Sequence, residues 1–178
     1  MSDMRTCDLP EGALLGRYLQ GGAYADCYVV EVAGTISQAE YVEAFYTTAV
    51  FKVERRLLAW FVSRPSTDRQ AGELAAGRTD SFAIWSVEGR RADQLLLSDL
   101  RGRTRSWLMA APVGEGPPAR TRLYFGSAVV PVEDARAGRP KFGFPFRALL
   151  GFHKLYSRAL LGAAVSRLER ARPRQPGV

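Results

Sequence analysis

The sequence predicts an α+β fold, with a curved antiparallel sheet wrapped around a long C-terminal helix. Three observations carry this. Apolar spacing changes from helical to alternating at Ser81 and stays alternating to Val132, with turn residues punctuating it. The joints between the alternating segments are too short for parallel crossovers, so successive strands pair as an antiparallel meander. The last periodic segment, Phe146 to Arg172, is a single long helix. Helices gathered on one side of such a sheet leave space between the sheet and the terminal helix.

The elements follow in chain order. Pro10 to Leu19 is a short helical turn ended by Gly21-Gly22, and Tyr24 to Val32 (YADCYVVEV) is a strand dense in aromatic and β-branched residues, stopped by Gly34. Ser37 and Glu40 have the spacing of a capping box, opening a helical region from Thr35 to Val62. Thr47-Thr48 interrupts it, which gives either one kinked helix or two in succession. The second half places Val50, Glu54, Leu57, Leu58 and Phe61 on one face before Pro65 stops it. A short helix over Asp68 to Ala76 ends at Gly77. Four strands follow, Ser81–Glu88, Asp93–Leu100, Thr104–Val113 and Thr121–Val132, joined at Gly89-Arg90, Arg101-Gly102 and the Gly/Pro-rich stretch Gly114 to Pro118. Residues 133–145 form a loop into the terminal helix. Residues 1–172 are expected to form one domain and 173–178 (PRQPGV) a disordered tail.

Composition narrows the class. The chain has 178 residues, 47% hydrophobic and 24% charged, with only two cysteines, which excludes disordered, collagen-like and disulfide-scaffold chains. The net charge of +7 is unevenly placed: residues 1–134 hold 15 basic and 17 acidic side chains, residues 135–178 hold 10 and 1. The basic excess therefore belongs to the C-terminal quarter. No signal peptide or membrane-length apolar run is visible, so a cytoplasmic protein with reduced thiols is expected. A Cys7–Cys27 disulfide stays open as the alternative. Two cysteines and one histidine, His153, do not supply a zinc set, and no cofactor is implied.

The order of strand, helices, meander and long helix resembles the helix-grip fold of the START, birch-pollen-allergen and polyketide-cyclase superfamily, often called SRPBCC. The segments YADCYVVEV, FYTTAVFKVERRLLAWF, DQLLLSDLRGRTRSWL, TRLYFGSAVV and LLGFHKLYSRALL also look like an uncharacterised bacterial family placed near that superfamily. The resemblance covers residues 20–165. It implies a hydrophobic cavity for a lipid or aromatic compound, with no catalytic set to carry over. This chain has fewer strands after its first helices than a typical member, which would shrink or open such a cavity.

The faces locate candidate residues. On the terminal helix, Phe146, Leu149, Leu150, Tyr156, Leu160, Leu161, Ala164 and Leu168 share one arc, with His153 in its middle. Arg147, Lys154, Arg158 and Arg172 lie opposite. The basic side reads either as a peripheral contact with an anionic membrane or as a solvated helix face. His153 reads either as a ligand-orienting or acid–base group, or as a hydrogen-bonded core histidine.

Two-residue turns place Phe82, Ile84, Leu95, Leu97, Asp99, Thr104, Ser106, Leu108 and Ala110 on one sheet face, joined by Leu123, Phe125, Ser127 and Val129 if the last strand pairs in step. A pocket between this face and the helix would be lined by Phe82, Leu97, Leu108, Phe125, Leu149 and Tyr156. Its polar corner would hold Asp99, Thr104, Ser106, Ser127 and His153. Alternatively, Asp99 and Thr104 only flank a hairpin turn in solvent. The opposite face carries Trp85, Val87, Leu96, Arg105, Trp107, Met109, Arg122 and Tyr124, read as a self-association (homodimer) surface or as a face covered by the N-terminal segment. The near-neutral body argues against nucleic acid.

Enzyme motifs are weak. Gly114-Glu115-Gly116 precedes no helix, and Gly126-Ser127 lies within a strand rather than on a nucleophile elbow. Hydrolase or cyclase chemistry would have to draw on His153 and Asp99. The expected function is binding of a hydrophobic small molecule. The alternative is a structural protein with a filled core that associates through Trp85, Trp107 and Tyr124.

Overall fold

A computed structural model describes residues 3–20, 23–53, 55, 66–114, 116–130 and 144–171, apart from the side chains of Gln20 and residues 144–154. The elements are β1 (Arg5–Thr6), α1 (Gly16–Gln20), β2 (Tyr24–Ala33), α2 (Gln38–Tyr46), α3 (Asp68–Ala75), β3 (Ser81–Phe82), β4 (Trp85–Arg91), β5 (Gln94–Asp99), β6 (Thr104–Pro112), β7 (Arg120–Val129) and α4 (Phe144–Ala171). The strands form one open antiparallel sheet in the order β1-β2-β7-β6-β5-β4-β3. The fold is α+β, as expected. The tail, the loop over 133–143, and Leu57, Leu58 and Phe61 lie outside the described residues.

Local chemistry sets the helix ends. Ser37 Oγ accepts from the Glu40 N–H at 3.2 Å, and Glu40 Oε2 accepts from the Ser37 N–H at 2.8 Å, which completes the capping box of α2. Thr47 and Thr48 then turn their hydroxyls onto Glu43 O (2.6 Å) and Phe45 O (3.0 Å). Thr48 Oγ1 also accepts from the Phe51 N–H at 3.1 Å, so a second helical stretch starts at residue 49. Of the two expected arrangements, the structure has two successive helices. Thr67 and Gln70 cap α3 in the same way.

The β5–β6–β7 register is the expected one. Leu95 lies opposite Leu108, Leu97 opposite Ser106, Ser106 opposite Ser127 and Leu108 opposite Phe125. The first meander strand differs. Ser81–Phe82 and Trp85–Arg91 form a hairpin of their own, and β4 continues through Gly89-Arg90 to turn at Ala92-Asp93. Gly89 is a close-approach glycine inside a bulged strand rather than a turn residue. A Cβ there would lie 3.2 Å from an Arg17 guanidinium nitrogen and 3.3 Å from Leu14 Cδ1. The register shift between Val87 and Gly89 reverses the alternation. Trp85 and Val87 therefore sit on the helix side, and Trp85 does not share a face with Trp107 and Tyr124.

Both faces of the sheet are covered. On the helix side, Tyr28, Val30, Val32, Leu95, Leu97, Leu108, Leu123 and Phe125 pack against α2, α3 and the second half of α4. On the other side, Leu96, Trp107, Tyr124 and Ala128 are buried under Leu9, Leu14, Leu15 and Tyr18 of the N-terminal segment. Trp107 is fully buried and Trp85 and Tyr124 are each 9% exposed. The three residues expected to form an exposed self-association face are thus divided between two covered layers.

Cys7 Sγ and Cys27 Sγ lie 3.1 Å apart as free thiols, with the Cys7 N–H donating to Cys27 O at 3.0 Å. Burial pushes both thiols above their ordinary pKa, Cys27 most strongly. Thiolate is the reactive form, so alkylation by iodoacetamide at pH 8 is expected to be at least ~10-fold slower in native protein than in urea. Both thiols should react in urea without reductant. A comparable native rate would place Cys7 outside the described packing, and no reaction in urea would show a covalent bridge.

Candidate functional site

The helix-side face of the sheet changes from polar to apolar along the strands. At one end, Tyr24, Val129 and Thr104 align across β2, β7 and β6, with Asp99 and Trp85 as partners on β5 and β4. In the next row, Asp26, Ser127, Ser106, Leu97 and Val87 stand side by side. The following rows, Tyr28–Phe125–Leu108–Leu95 and Val30–Leu123–Ala110, are almost wholly apolar. Because directly opposite residues point to the same face, polar and apolar groups end up in separate zones.

Hydrogen bonds connect the polar rows. Ser127 Oγ donates to Asp26 Oδ1 at 2.6 Å, and the Tyr28 hydroxyl to Asp26 Oδ2 at 3.4 Å. The Tyr46 hydroxyl, at the end of α2, meets Ser106 Oγ at 3.1 Å. Burial, reinforced by the charge of Asp26, pushes the Tyr28 phenol up to about 12 and also raises Tyr24. Both phenols therefore remain protonated donors at neutral pH. Ser106 and Ser127 are buried.

The expected site residues do not come together as one group. Ser106 and Ser127 meet as neighbours within the polar rows. Phe82, Leu97, Leu108 and Phe125 share the face but lie under α2: the Phe45 ring centroid is 4.8 Å from Phe125, and that of Tyr46 is 5.5 Å from Phe82. Asp99 accepts the Arg103 N–H at 2.8 Å across the β5–β6 turn, the role of a turn-flanking carboxylate. Tyr156 packs, partly buried, against the helix-side core. Leu149 and His153 are on helical backbone of α4, and their side chains lie outside the described residues. On the described part of α4, Leu160, Leu161, Ala164 and Leu168 face inward. Arg158, Arg167 and Arg170 face outward, and Leu155 is 69% exposed.

Sequence reasoning missed Asp26, Tyr28 and Tyr46. The alternation Tyr24, Asp26, Tyr28, Val30, Val32 contained the first two, but only the pairing of β2 with β7 assigns them to the helix side. Missed also were groups that are buried without a hydrogen-bond partner: Gln38 Oε1 on α2, Trp85 Nε1 on β4, Ser157 Oγ on α4, Arg55 Nε and Ser66 Oγ. Open hollows are found elsewhere on the described surface. One of about 480 Å³ lies between α2 and the end of α4, lined by Ile36, Glu43, Ala44, Arg167 and Leu168. Another of about 170 Å³ lies beside the β4–β5 hairpin. No protein-family model matches the chain, and no curated protein matches it. Among the described residues, no helix is long and apolar enough to cross a membrane.

Proposed function

We propose that the protein binds a hydrophobic small molecule, a lipid or an aromatic compound, between the sheet and the C-terminal helix in a helix-grip arrangement. The observation that carries this reading is the division of the helix-side face into a polar end and an apolar remainder. Ligand pockets combine an apolar wall with a few placed polar groups in this way. Ser157 Oγ supports it from the opposite wall, as a fully buried hydroxyl on α4 with no hydrogen-bond partner. Buried polar groups are normally paired, so an orphan donor suggests a partner that the chain itself does not provide. The open antiparallel sheet and the long C-terminal helix α4 are the coarse features on which this reading rests.

A second reading is a structural protein with a filled core. The rings of Phe45, Tyr46 and Phe51 that pack over Phe82 and Phe125 favour it. Native mass spectrometry of the purified protein separates the two. Binding predicts a co-purified apolar species that organic extraction removes and that rebinds afterwards. A single unliganded mass, together with no binding of an apolar fluorescent probe by the extracted protein, would leave the filled core.

A further inference from the structure

Among the described residues, three of the five side-chain groups buried without a hydrogen-bond partner belong to residues grouped near the Phe82 ring. Phe82 is the cross-strand partner of Trp85 in the β3–β4 hairpin, and both side chains face the helix side. The Arg55 guanidinium carbon is 5.8 Å from the Phe82 ring centroid. Arg55 in turn donates to Ser66 O at 2.9 Å, which brings Ser66 to the same place. Trp85 Nε1, Arg55 Nε and Ser66 Oγ are each buried and without a hydrogen-bond partner. Two of them, the indole and guanidinium N–H groups, can only donate.

The rest of Arg55 is committed. Its Nη1 donates to Asp68 Oδ1 at 2.8 Å and to Tyr46 O at 3.4 Å. Lys52 Nζ lies 2.5 Å from Asp68 Oδ2, so two cations share one half-exposed carboxylate. The cluster retains one positive charge, with Asp68 on its outer side and the free Nε on its buried side. A ligand oxygen placed there would meet unpaired donors, one of them on a guanidinium, a setting suited to a carboxylate. The Asp99 carboxylate, opposite Trp85 on β5, is held by the Arg103 N–H of its own turn.

We infer that the ligand is a carboxylate-bearing apolar molecule whose acid group is held by Trp85 Nε1, Arg55 Nε and Ser66 Oγ beside the Phe82 ring. This rests on the binding reading above and specifies the polar end of the ligand. The test compares three molecules of equal chain length, octanoate, octanol and octylamine, by calorimetric titration of the full-length protein. Octanoate is expected to bind at least about tenfold more tightly than the other two, as expected for hydrogen bonds to a charged group. Trp85→Phe removes the indole N–H and keeps a ring. It should abolish most of that preference.

A second measurement follows the Trp85 indole N–H resonance, assigned by its loss in the same variant. It should move further with octanoate than with octanol, because a carboxylate is the stronger acceptor. Equal affinity for the three molecules, or an unmoved Trp85 resonance at saturation with octanoate, would overturn the carboxylate site and leave apolar binding standing. Failure of all three to bind would overturn both.

Discussion

Gly126→Ala is expected to destabilise the protein by about 2–3 kcal/mol, the cost of overpacking a filled core. Gly126 lies in β7 opposite Cys27 and Trp107, at the point where the N-terminal segment presses closest to the sheet. A Cβ there would stand 2.8 Å from Leu15 Cδ2, 2.9 Å from Trp107 Cε3 and 3.2 Å from the Asp26 carbonyl oxygen. Leu15 can change rotamer. Trp107 cannot move as easily, because it is fully buried and its Nε1 donates to Gln94 Oε1 at 2.9 Å. For a chain of this length the loss corresponds to a fall in Tm of about 4–12 °C. Thermal unfolding followed by circular dichroism measures it. Adding Leu15→Ala should cost less than the sum of the two single losses, because the smaller side chain vacates the space that the new methyl needs. A Tm within about 2 °C of the parent, or a double variant as unstable as the sum of its parts, would show that Leu15 and Gly126 do not meet as described.

The fold was legible wherever local signals agreed. Ser37 and Glu40 marked the start of α2, Thr47-Thr48 its interruption, and the alternation from Gln94 to Val129 gave the register of three strands. That register holds because one face of each strand is buried, so a slip by one residue would expose it. It failed at Gly89, where glycine signals both a turn and a close approach, and only the positions of Leu14 and Arg17 distinguish them. From that error Trp85 was placed on the wrong face, and with it the most informative orphan donor. The candidate site was half legible. Ser106 and Ser127 follow from the meander alone, whereas Asp26, Tyr46 and Arg55 reach the site through long-range pairings that sequence periodicity does not carry.

Gln94→Ala is expected to cost a further few kcal/mol by a different route. Gln94 is 3% exposed and joins the N-terminal segment to the sheet. Its Oε1 accepts from the Leu14 N–H and from Trp107 Nε1, both at 2.9 Å, and its Nε2 donates to Gly12 O at 3.3 Å. Removing the amide leaves two buried N–H donors unpaired, at about 1–3 kcal/mol each before relaxation. Neighbouring Arg91, whose Nη1 also reaches Gly12 O at 2.8 Å, keeps part of the attachment. The expected total is therefore about 2–4 kcal/mol, a fall in Tm of about 4–16 °C. The damage should be local before it is global. Amide exchange should quicken over residues 9–20 and in the adjoining strands β5 and β6 on their Trp107 side. Gln94→Glu keeps an acceptor for Leu14 and Trp107 and loses the donor to Gly12, so it should fall between the parent and Gln94→Ala above pH 7. Octanoate binding, sited on the other face of the sheet, should be unchanged in the folded fraction of either variant. If Gln94→Ala unfolds no earlier than the parent, or opens the helix side as fast as the N-terminal segment, then the Gln94 amide is not what holds that segment over Trp107.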